Sequence, residues 1–379
     1  MLALIFSIPS IFPAHAGLDA PINLDNPRVV PIWGAMNEAS GAANFGWWSG
    51  YLYSSRIVFT AAHSTYSFDN NNNNRILNEP PFILVGKPNS NPKDGVGSVK
   101  VIKKFVGDYK LGKVAALNDF IVYVLEKDLI PMQPSRLMTT DIEKELTAAK
   151  SEINFHGYGE YRDRCAPGEK SPCKKDWNNP NQSGSELPRL MKITLNSLTD
   201  FSWMSEDHRA ELQFETLVSK HKGCSGDSGG PITTTYKGDI LYLGQGLNGS
   251  NVYACGAGST KEPKVNDLQS YGYFSPVYKH LELLKEAEAF VAQQAAAELK
   301  AKQEAEAKAA TELKAKQEAE AKAAAELKAK AAAELKAKQE ADAKAAATTK
   351  TTITCTKGKL IKKVTAVKPK CPVGYKVKR

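Results

Sequence analysis

The sequence contains few of the residues that bind metal ions, with six cysteines and six histidines among 379 residues. It has no Cys-x-x-Cys pair, and its histidines do not cluster with its cysteines. Structural zinc sites usually combine such ligands at short and regular spacings. The sequence therefore predicts no metal ion and no cofactor. The even number of cysteines is typical instead of disulfide bonds formed in an oxidising compartment.

Most of the chain has no net basic charge, although the formal net charge of the whole is +9. Residues 348–379 contain nine lysines, one arginine and no acidic residue, a charge of +10. Residues 279–347 balance thirteen lysines with thirteen acidic residues, which leaves residues 1–278 with a charge of −1. Without net basic charge, this larger part is not expected to bind nucleic acid. The basic tail has Tyr375 as its only aromatic residue, which also argues against nucleic acid.

The N-terminal apolar run lacks the length of a membrane span. Residues 2–12 are apolar, and residues 14–16 have the small-x-small pattern of a signal-peptide cleavage site. We therefore expect residues 1–16 to be a signal peptide and the protein to be secreted or associated with the cell surface. The basic residues that usually begin a signal peptide are missing, which favours a translation start upstream of Met1. The alternative is a buried N-terminal segment.

Between residues 45 and 278, short runs of β-branched and aromatic residues alternate with clusters of glycine, proline and asparagine. This rhythm is typical of an antiparallel sandwich or barrel. Residues 163–185 contain glycine, proline, asparagine and two cysteines, and we expect them to form a long surface loop. Examples of these runs are Ile57–Thr60, Phe82–Val85, Val99–Phe105, Phe120–Leu125, Ile153–Tyr158, Arg189–Leu195 and Ile240–Leu243.

From residue 276 the apolar residues recur at helical spacing. A helix over residues 276–294 leads without a stop signal into an Ala/Glu/Lys-rich repeat. Seven pairs place a glutamate four residues before a lysine, which stabilises a helix. One leucine per repeat specifies a coiled-coil seam poorly. We predict a solvated helical stalk over residues 293–347, either single or weakly oligomeric.

Residues 348–379 form a separate basic tail after a run of threonines that ends the helix. Apolar and basic residues alternate in this tail, which is compatible with a hairpin. The charge favours adhesion to an anionic surface, such as a wall polymer or lipid headgroups. A tail that only improves solubility is the alternative.

The segment 223–231, Gly-Cys-Ser-Gly-Asp-Ser-Gly-Gly-Pro, places a serine on a tight loop. Its glycines allow the amides of Gly226 and Ser228 to point at one position, where they can stabilise an oxyanion. A serine hydroxyl is a weak nucleophile without a base. The motif therefore predicts a histidine and a carboxylate elsewhere in the chain.

Both partners have candidates upstream. His63 ends the apolar run Val-Phe-Thr-Ala-Ala-His, and Asp119 precedes the β-rich run of residues 120–125. Asp108 is the rival carboxylate and Ser225 the rival nucleophile, but neither has the corresponding flanking residues.

These three segments, in the order His, Asp, Ser, resemble the trypsin/chymotrypsin-like serine peptidases. The resemblance covers about residues 29–290 and rests on Thr-Ala-Ala-His, Asn-Asp before apolar residues, and Gly-Asp-Ser-Gly-Gly-Pro. It implies an all-β fold of two antiparallel six-stranded barrels with a C-terminal helix, which here continues into the stalk. It also implies a serine endopeptidase that cleaves proteins or peptides, with catalytic His63, Asp119 and Ser228.

In that family, an activating cleavage creates an apolar amino terminus that pairs with the aspartate before the nucleophile, here Asp227. Cleavage after Arg28 would create such a terminus at Val29. Residues 17–28 would then be a propeptide, and residues 29–292 the peptidase domain. Arg28 as an ordinary surface residue is the alternative, because the chain lacks the glycine pair that follows the new terminus in the family.

The resemblance also places Lys222, six residues before the nucleophile, at the base of the substrate pocket. Trypsins have an aspartate there, so that a lysine argues against cleavage after Arg or Lys and favours an acidic residue instead. Alternatively, Lys222 turns to solvent or is neutralised by Glu262 or Asp267, and the pocket selects by shape.

Spacing and the resemblance together favour three disulfide bonds. Cys224–Cys255 matches the family bridge beside the substrate pocket. Cys165–Cys173 would close a local loop, and Cys355–Cys371 would staple the tail. Ser64 follows His63 where many relatives have a cysteine, so that family bridge is absent.

Two other classes of function remain open from the sequence. One is a non-catalytic, surface-attached binding module on a peptidase fold, although none of the three catalytic residues is lost. The other is a structural spacer in which the stalk itself is the function.

Overall fold

The computed structural model describes residues 21–35, 47–68, 75–77, 82–92, 95, 97–111, 116–159, 187–196, 205–206, 217–219, 226–247 and 272–379. The chain divides into two compact units, residues 1–294 and 295–379. No helix in the described part of the chain has an apolar stretch long enough to cross a membrane.

Six antiparallel strands of the first unit close into a barrel in the order β1-β2-β3-β10-β7-β6. Two short hairpins, β4–β5 and β8–β9, lie between these strands in the sequence. The ten strands are β1 (Val29–Ala35), β2 (Trp47–Ser54), β3 (Ile57–Thr60), β4 (Tyr66–Phe68), β5 (Arg75–Leu77), β6 (Phe82–Val85), β7 (Val99–Val106), β8 (Lys110–Leu111), β9 (Ala116–Leu117) and β10 (Ile121–Leu125).

A second sheet of seven strands follows, in the order β11-β16-β15-β12-β13-β14-β17, and β17 also pairs with β16. All these pairings are antiparallel except that of β11 with β16. A helix, α1 (Thr140–Ala148), lies between β11 and β12 in the sequence. The strands are β11 (Arg136–Leu137), β12 (Glu152–Gly157), β13 (Arg189–Asn196), β14 (Leu217–Ser219), β15 (Pro231–Tyr236), β16 (Asp239–Leu247) and β17 (Gly272–Pro276).

Strand β10 is buried on both faces because it contributes to two hydrophobic cores. Ile121 and Tyr123 belong to the core inside the barrel. Val122 and Val124 belong to a second core, together with residues of the seven-stranded sheet such as Ile232. Because successive side chains of a strand point to opposite faces, a strand between two cores is apolar at every position.

The predicted helix at residue 276 is present as a 3₁₀ turn, Val277–His280, followed by α2 (Leu281–Thr348). Leu284 and Ala287 are buried in the second core. Beyond residue 294, every residue of the helix is exposed. The ion pairs Lys300–Glu304 and Lys302–Glu306, each 3.9 Å long, place lysine before glutamate, the reverse of the orientation on which the prediction relied.

The tail folds as a small antiparallel sheet in the order β19-β18-β20. The strands are β18 (Thr351–Lys357), β19 (Leu360–Ala366) and β20 (Lys376–Val377). The expected disulfide between Cys355 and Cys371 is present, with Cys355 fully buried. Overall, the structure contains one closed six-stranded barrel, further sheets and a long C-terminal helix, and the predicted hairpin in the tail is confirmed.

Candidate active site

Three residues from distant parts of the first unit meet at one site. His63 lies in the 3₁₀ turn Ala62–Ser64 after β3, and Asp119 lies just before β10. Since Thr60 of β3 pairs with Ile121 of β10, both side chains emerge at the same end of the barrel. Ser228 precedes β15 of the seven-stranded sheet. The site therefore lies where the barrel and the second sheet meet.

A continuous chain of hydrogen bonds joins the three side chains. The Nδ1 atom of His63 lies 2.6 Å from Oδ2 of Asp119, and Nε2 lies 2.7 Å from Oγ of Ser228. The backbone amide of His63 also donates to Oδ1 of Asp119 at 2.8 Å. With Nδ1–H donating to the carboxylate, Nε2 accepts the proton of the Ser228 hydroxyl. This tautomer is the one that can act as a general base.

The electrostatics of the site favour a protonated histidine after proton transfer. Burial lowers the pKa of His63, but the charge of Asp119 and its hydrogen bond outweigh burial and raise the pKa above 6.5. The Asp119 side chain is only 2% exposed, whereas that of His63 is 23% exposed. The carboxylate is thus shielded from water, while the imidazole stays within reach of a substrate.

The backbone before Asp119 turns sharply to present this carboxylate. Asn118 has a φ of 54°, in the left-handed region that asparagine tolerates better than most residues. Its side-chain amide donates to the carbonyl of Asp108 at 2.8 Å. The carboxylate of Asp108 itself is exposed and lies 3.3 Å from Lys110. The structure therefore brings Asp119, and not the rival Asp108, to His63.

The loop that carries Ser228 depends on glycine. Gly226 and Gly229 have φ values of 92° and 74°. Residues with a side chain rarely adopt these backbone conformations, whereas glycine adopts them readily. A Cβ atom at Gly229 would lie 2.0 Å from Oγ1 of Thr60. The amide of Gly230 donates to the carbonyl of Asp227 at 2.7 Å and closes the turn.

This turn leaves two backbone donors available. Among the residues that the structure describes, neither the amide of Gly226 nor that of Ser228 donates a hydrogen bond. Amides that have no partner beside a nucleophile can bind the negative oxygen that forms when the nucleophile attacks a carbonyl group. The free amides are therefore compatible with the oxyanion hole expected from the sequence.

Ser49 of β2 anchors the nucleophile loop to the barrel, a role that the sequence did not indicate. Its Oγ donates to the carbonyl of Gly226 and accepts from the amide of Tyr158, both at 2.9 Å. Its own amide donates to the carbonyl of Ser228 at 3.0 Å. Ser49 has no motif around it, and only the tertiary structure identifies it.

Asp227 is buried against two glycines at the end of β12. Its Oδ1 atom accepts a hydrogen bond from the amide of Gly159 at 2.8 Å. A Cβ atom on Gly157 would lie 1.9 Å from the same oxygen, so the carboxylate occupies the space that a side chain would need.

The predicted cleavage site lies at the start of a barrel strand. The guanidinium group of Arg28 donates to the carbonyls of Leu52, Tyr53 and Gln133 at 2.8–3.1 Å. Val29 is the first residue of β1 and is fully buried. In β1, Val29 pairs with Tyr51 of β2. Activation by cleavage stays a prediction.

Buried polar residues hold Asp119 and its neighbour Phe120 in place. The side-chain amide of Gln245, which is fully buried, donates to the backbone carbonyl of Asp119 at 2.6 Å. The ring of His280 stacks on Phe120 with ring centroids 4.4 Å apart, and its Nε2 lies 2.7 Å from Oγ of Ser275. Burial lowers the pKa of His280 to about 3, so this imidazole is neutral. No local sequence signal marks these residues.

Several predicted site residues lie outside the described residues. They are Lys222, Ser225, Glu262, Asp267 and the cysteines of the two other expected disulfides, Cys165, Cys173, Cys224 and Cys255. Among the described residues, no three His, Cys, Asp or Glu side chains are grouped so that they could hold a metal ion.

Two comparisons with known proteins give no match for this chain. No protein-family model matches it, and no curated protein gives a significant match. The resemblance to trypsin-like peptidases therefore rests on the three sequence motifs.

Proposed function

We propose that this protein is a secreted serine endopeptidase that acts through Ser228, His63 and Asp119. The single observation that carries the proposal is the chain of hydrogen bonds from Asp119 through His63 to Ser228. Three polar residues whose positions in the sequence are far apart seldom meet in this order without a catalytic role, since burying them costs free energy.

In the proposed reaction, Oγ of Ser228 attacks the carbonyl carbon of a peptide bond and its proton passes to Nε2 of His63. The amides of Gly226 and Ser228 stabilise the oxyanion. When the C–N bond breaks, His63 returns the proton to the leaving amine, and an acyl ester of Ser228 remains. Water then attacks this ester with His63 again accepting the proton, which releases the acid and restores the serine.

We further propose that the seven-stranded sheet is the second barrel of a chymotrypsin-like fold. In support, its antiparallel pairings run from β16 through β15, β12, β13 and β14 to β17, which pairs with β16 again. His63 and Asp119 lie on the six-stranded barrel, and Ser228 lies on the seven-stranded sheet. These positions agree with an active site between two barrels.

The proposed specificity excludes basic residues before the scissile bond and favours acidic ones, because of Lys222. A hydrogen bond to a charged group is worth about 1.5–3 kcal/mol, or roughly ten- to a hundredfold in rate. The preference can be measured as the hydrolysis rates of matched peptides that have Glu, Leu or Arg directly before the scissile bond. A preference for Arg would refute the proposal, and a preference for Leu would refute its acidic part alone.

Labelling with a serine-directed phosphonate tests the peptidase proposal directly. The wild-type protein and the control variant Ser225→Ala should be labelled and should hydrolyse peptides, because Ser225 has no predicted role in the chemistry. Ser228→Ala should fold normally but be neither labelled nor active. Turnover by Ser228→Ala near that of the wild type would show that the assignment is wrong.

A further inference from the structure

One end of the C-terminal sheet exposes aliphatic side chains that no part of the sheet covers. The turn at Gly358 and Lys359 joins β18 to β19, and Leu360 and Ile361 follow it directly. Both side chains are more than half exposed, at 63% and 62%. Strand residues of this kind are usually placed against a core.

A third aliphatic residue lies at the same end. Val373 is fully exposed in the turn that the amide of Tyr375 closes by donating to the carbonyl of Pro372 at 2.9 Å. The Lys357 side chain packs over the neighbouring Gly374, where a Cβ atom would lie 3.3 Å from its Nζ atom. Thr356 of β18 pairs with Lys376 of β20, which places this turn at the same end of the sheet as the turn at Gly358. We call Leu360, Ile361 and Val373 the apolar tip.

Lysines surround the apolar tip without any acidic residue to balance them. Lys357 and Lys359 precede Leu360, and Lys362 and Lys363 follow Ile361. Residues 348–379 as a whole contain ten basic and no acidic residues. The exposed lysines give the tip a positive rim, which attracts an anionic surface.

The covered centre of the sheet does not include the apolar tip. Its centre is the disulfide between Cys355 and Cys371, with Cys355 fully buried. Ile353 and Val364, which face each other across β18 and β19, are partly covered. Leu360, Ile361 and Val373 lie outside this centre and are the most exposed of the large hydrophobic residues in the tail.

We propose that the apolar tip inserts into the headgroup region of an anionic lipid bilayer. Lysines bind acidic headgroups while the aliphatic side chains enter the boundary with the acyl chains. A hydrophilic wall polymer would explain the charge but offers no apolar layer for Leu360, Ile361 and Val373. The bilayer therefore fits both observations. The inference does not depend on the proposed peptidase activity.

The test uses the full-length protein and sedimentation with vesicles. One set contains equal parts of phosphatidylglycerol and phosphatidylcholine, and the other contains phosphatidylcholine alone. The tip variant is Leu360→Gln/Ile361→Gln. The matched control is Leu299→Gln/Leu313→Gln, which removes two leucines of α2 that are each 58% exposed. Thiol titration checks that each variant keeps its disulfides.

The wild type and the control should bind the anionic vesicles and bind phosphatidylcholine at least tenfold more weakly. The tip variant should lose about ten- to a hundredfold in affinity, the effect of two aliphatic side chains that are partly buried in the membrane. Equal binding by the tip variant and the wild type would overturn the proposal. The proposal would also be overturned if the wild type did not bind vesicles. The same holds if it bound soluble polyphosphate as tightly as it binds the anionic vesicles.

Discussion

The substitution Asp119→Asn tests the proposed catalytic arrangement with the smallest change in shape. In the structure, Asp119 accepts two hydrogen bonds from His63, one from the backbone amide and one from Nδ1–H. An asparagine has only one oxygen to offer. If that oxygen faces Nδ1, the side-chain NH₂ group meets the backbone N–H and a buried donor stays unpaired, which costs about 1–3 kcal/mol.

The opposite orientation of the asparagine avoids this cost. Its oxygen accepts from the backbone amide, and its NH₂ group donates to Nδ1 of His63. The imidazole must then carry its proton on Nε2, which can no longer accept the proton of Ser228. We expect kcat/KM to fall about ten-thousandfold, because the wrong tautomer of the histidine has an effect of this size in serine peptidases. A loss of this size corresponds to ~5 kcal/mol of transition-state stabilisation.

The assay is kcat/KM for a peptide substrate, with thermal unfolding as a check of the fold. Asp108→Asn is the matched control, since the carboxylate of Asp108 is exposed and makes no contact with His63. It should retain the activity of the wild type. A loss of less than tenfold in Asp119→Asn, with the fold intact, would refute the role of Asp119 in setting the tautomer.

Three other predictions concern pH and packing. The proposed catalysis needs a neutral His63, and the pKa of His63 is raised above 6.5. The value of kcat/KM should therefore fall as the pH falls through this pKa, and a midpoint of the pH profile below 6 would contradict the prediction. His280 has a pKa near 3 when folded, so the unfolded chain binds its proton more readily. The free energy of unfolding should therefore decrease from about pH 6.5 towards pH 3, and less so in His280→Gln. Gly229→Ala should destabilise the protein by about 3–5 kcal/mol in urea unfolding, because its Cβ atom would collide with Thr60; a cost below 1 kcal/mol would contradict this.

The strands that could be predicted are those whose local sequence is distinctive. Ile57–Thr60 and Phe82–Val85 match the structure at both ends. Strand β2 lies within the segment predicted to be β-rich, but its mixture of Trp, Ser, Gly and Tyr shows no clear alternation that would give its ends. Helix α1 was missed, although Thr139 caps its first turn and accepts from the amide of Ile142. Helix α2 was predicted to its end because its residues favour a helix regardless of packing.

The residues of the candidate site also fall into those that the sequence predicts and those that it does not. His63, Asp119 and Ser228 could be found because each lies within a short motif whose chemistry demands a partner. Ser49 and Gln245 could not be found, since their roles depend on which strands become neighbours. From its local sequence, a buried serine that bonds to two loops cannot be distinguished from a serine without such hydrogen bonds.

The anchoring of the nucleophile loop by Ser49 has a consequence for how the chain is made. The loop takes its shape from hydrogen bonds to β2, which belongs to a different layer. His63 and Asp119 also lie on that layer, next to strands β3 and β10 of the barrel. A folded barrel alone therefore has the base but no nucleophile loop against it, and a folded seven-stranded sheet alone has Ser228 but neither the base nor the hydrogen bonds that hold the loop. The proposed peptidase activity would then arise only when both layers have folded and packed together, at the last step of assembly.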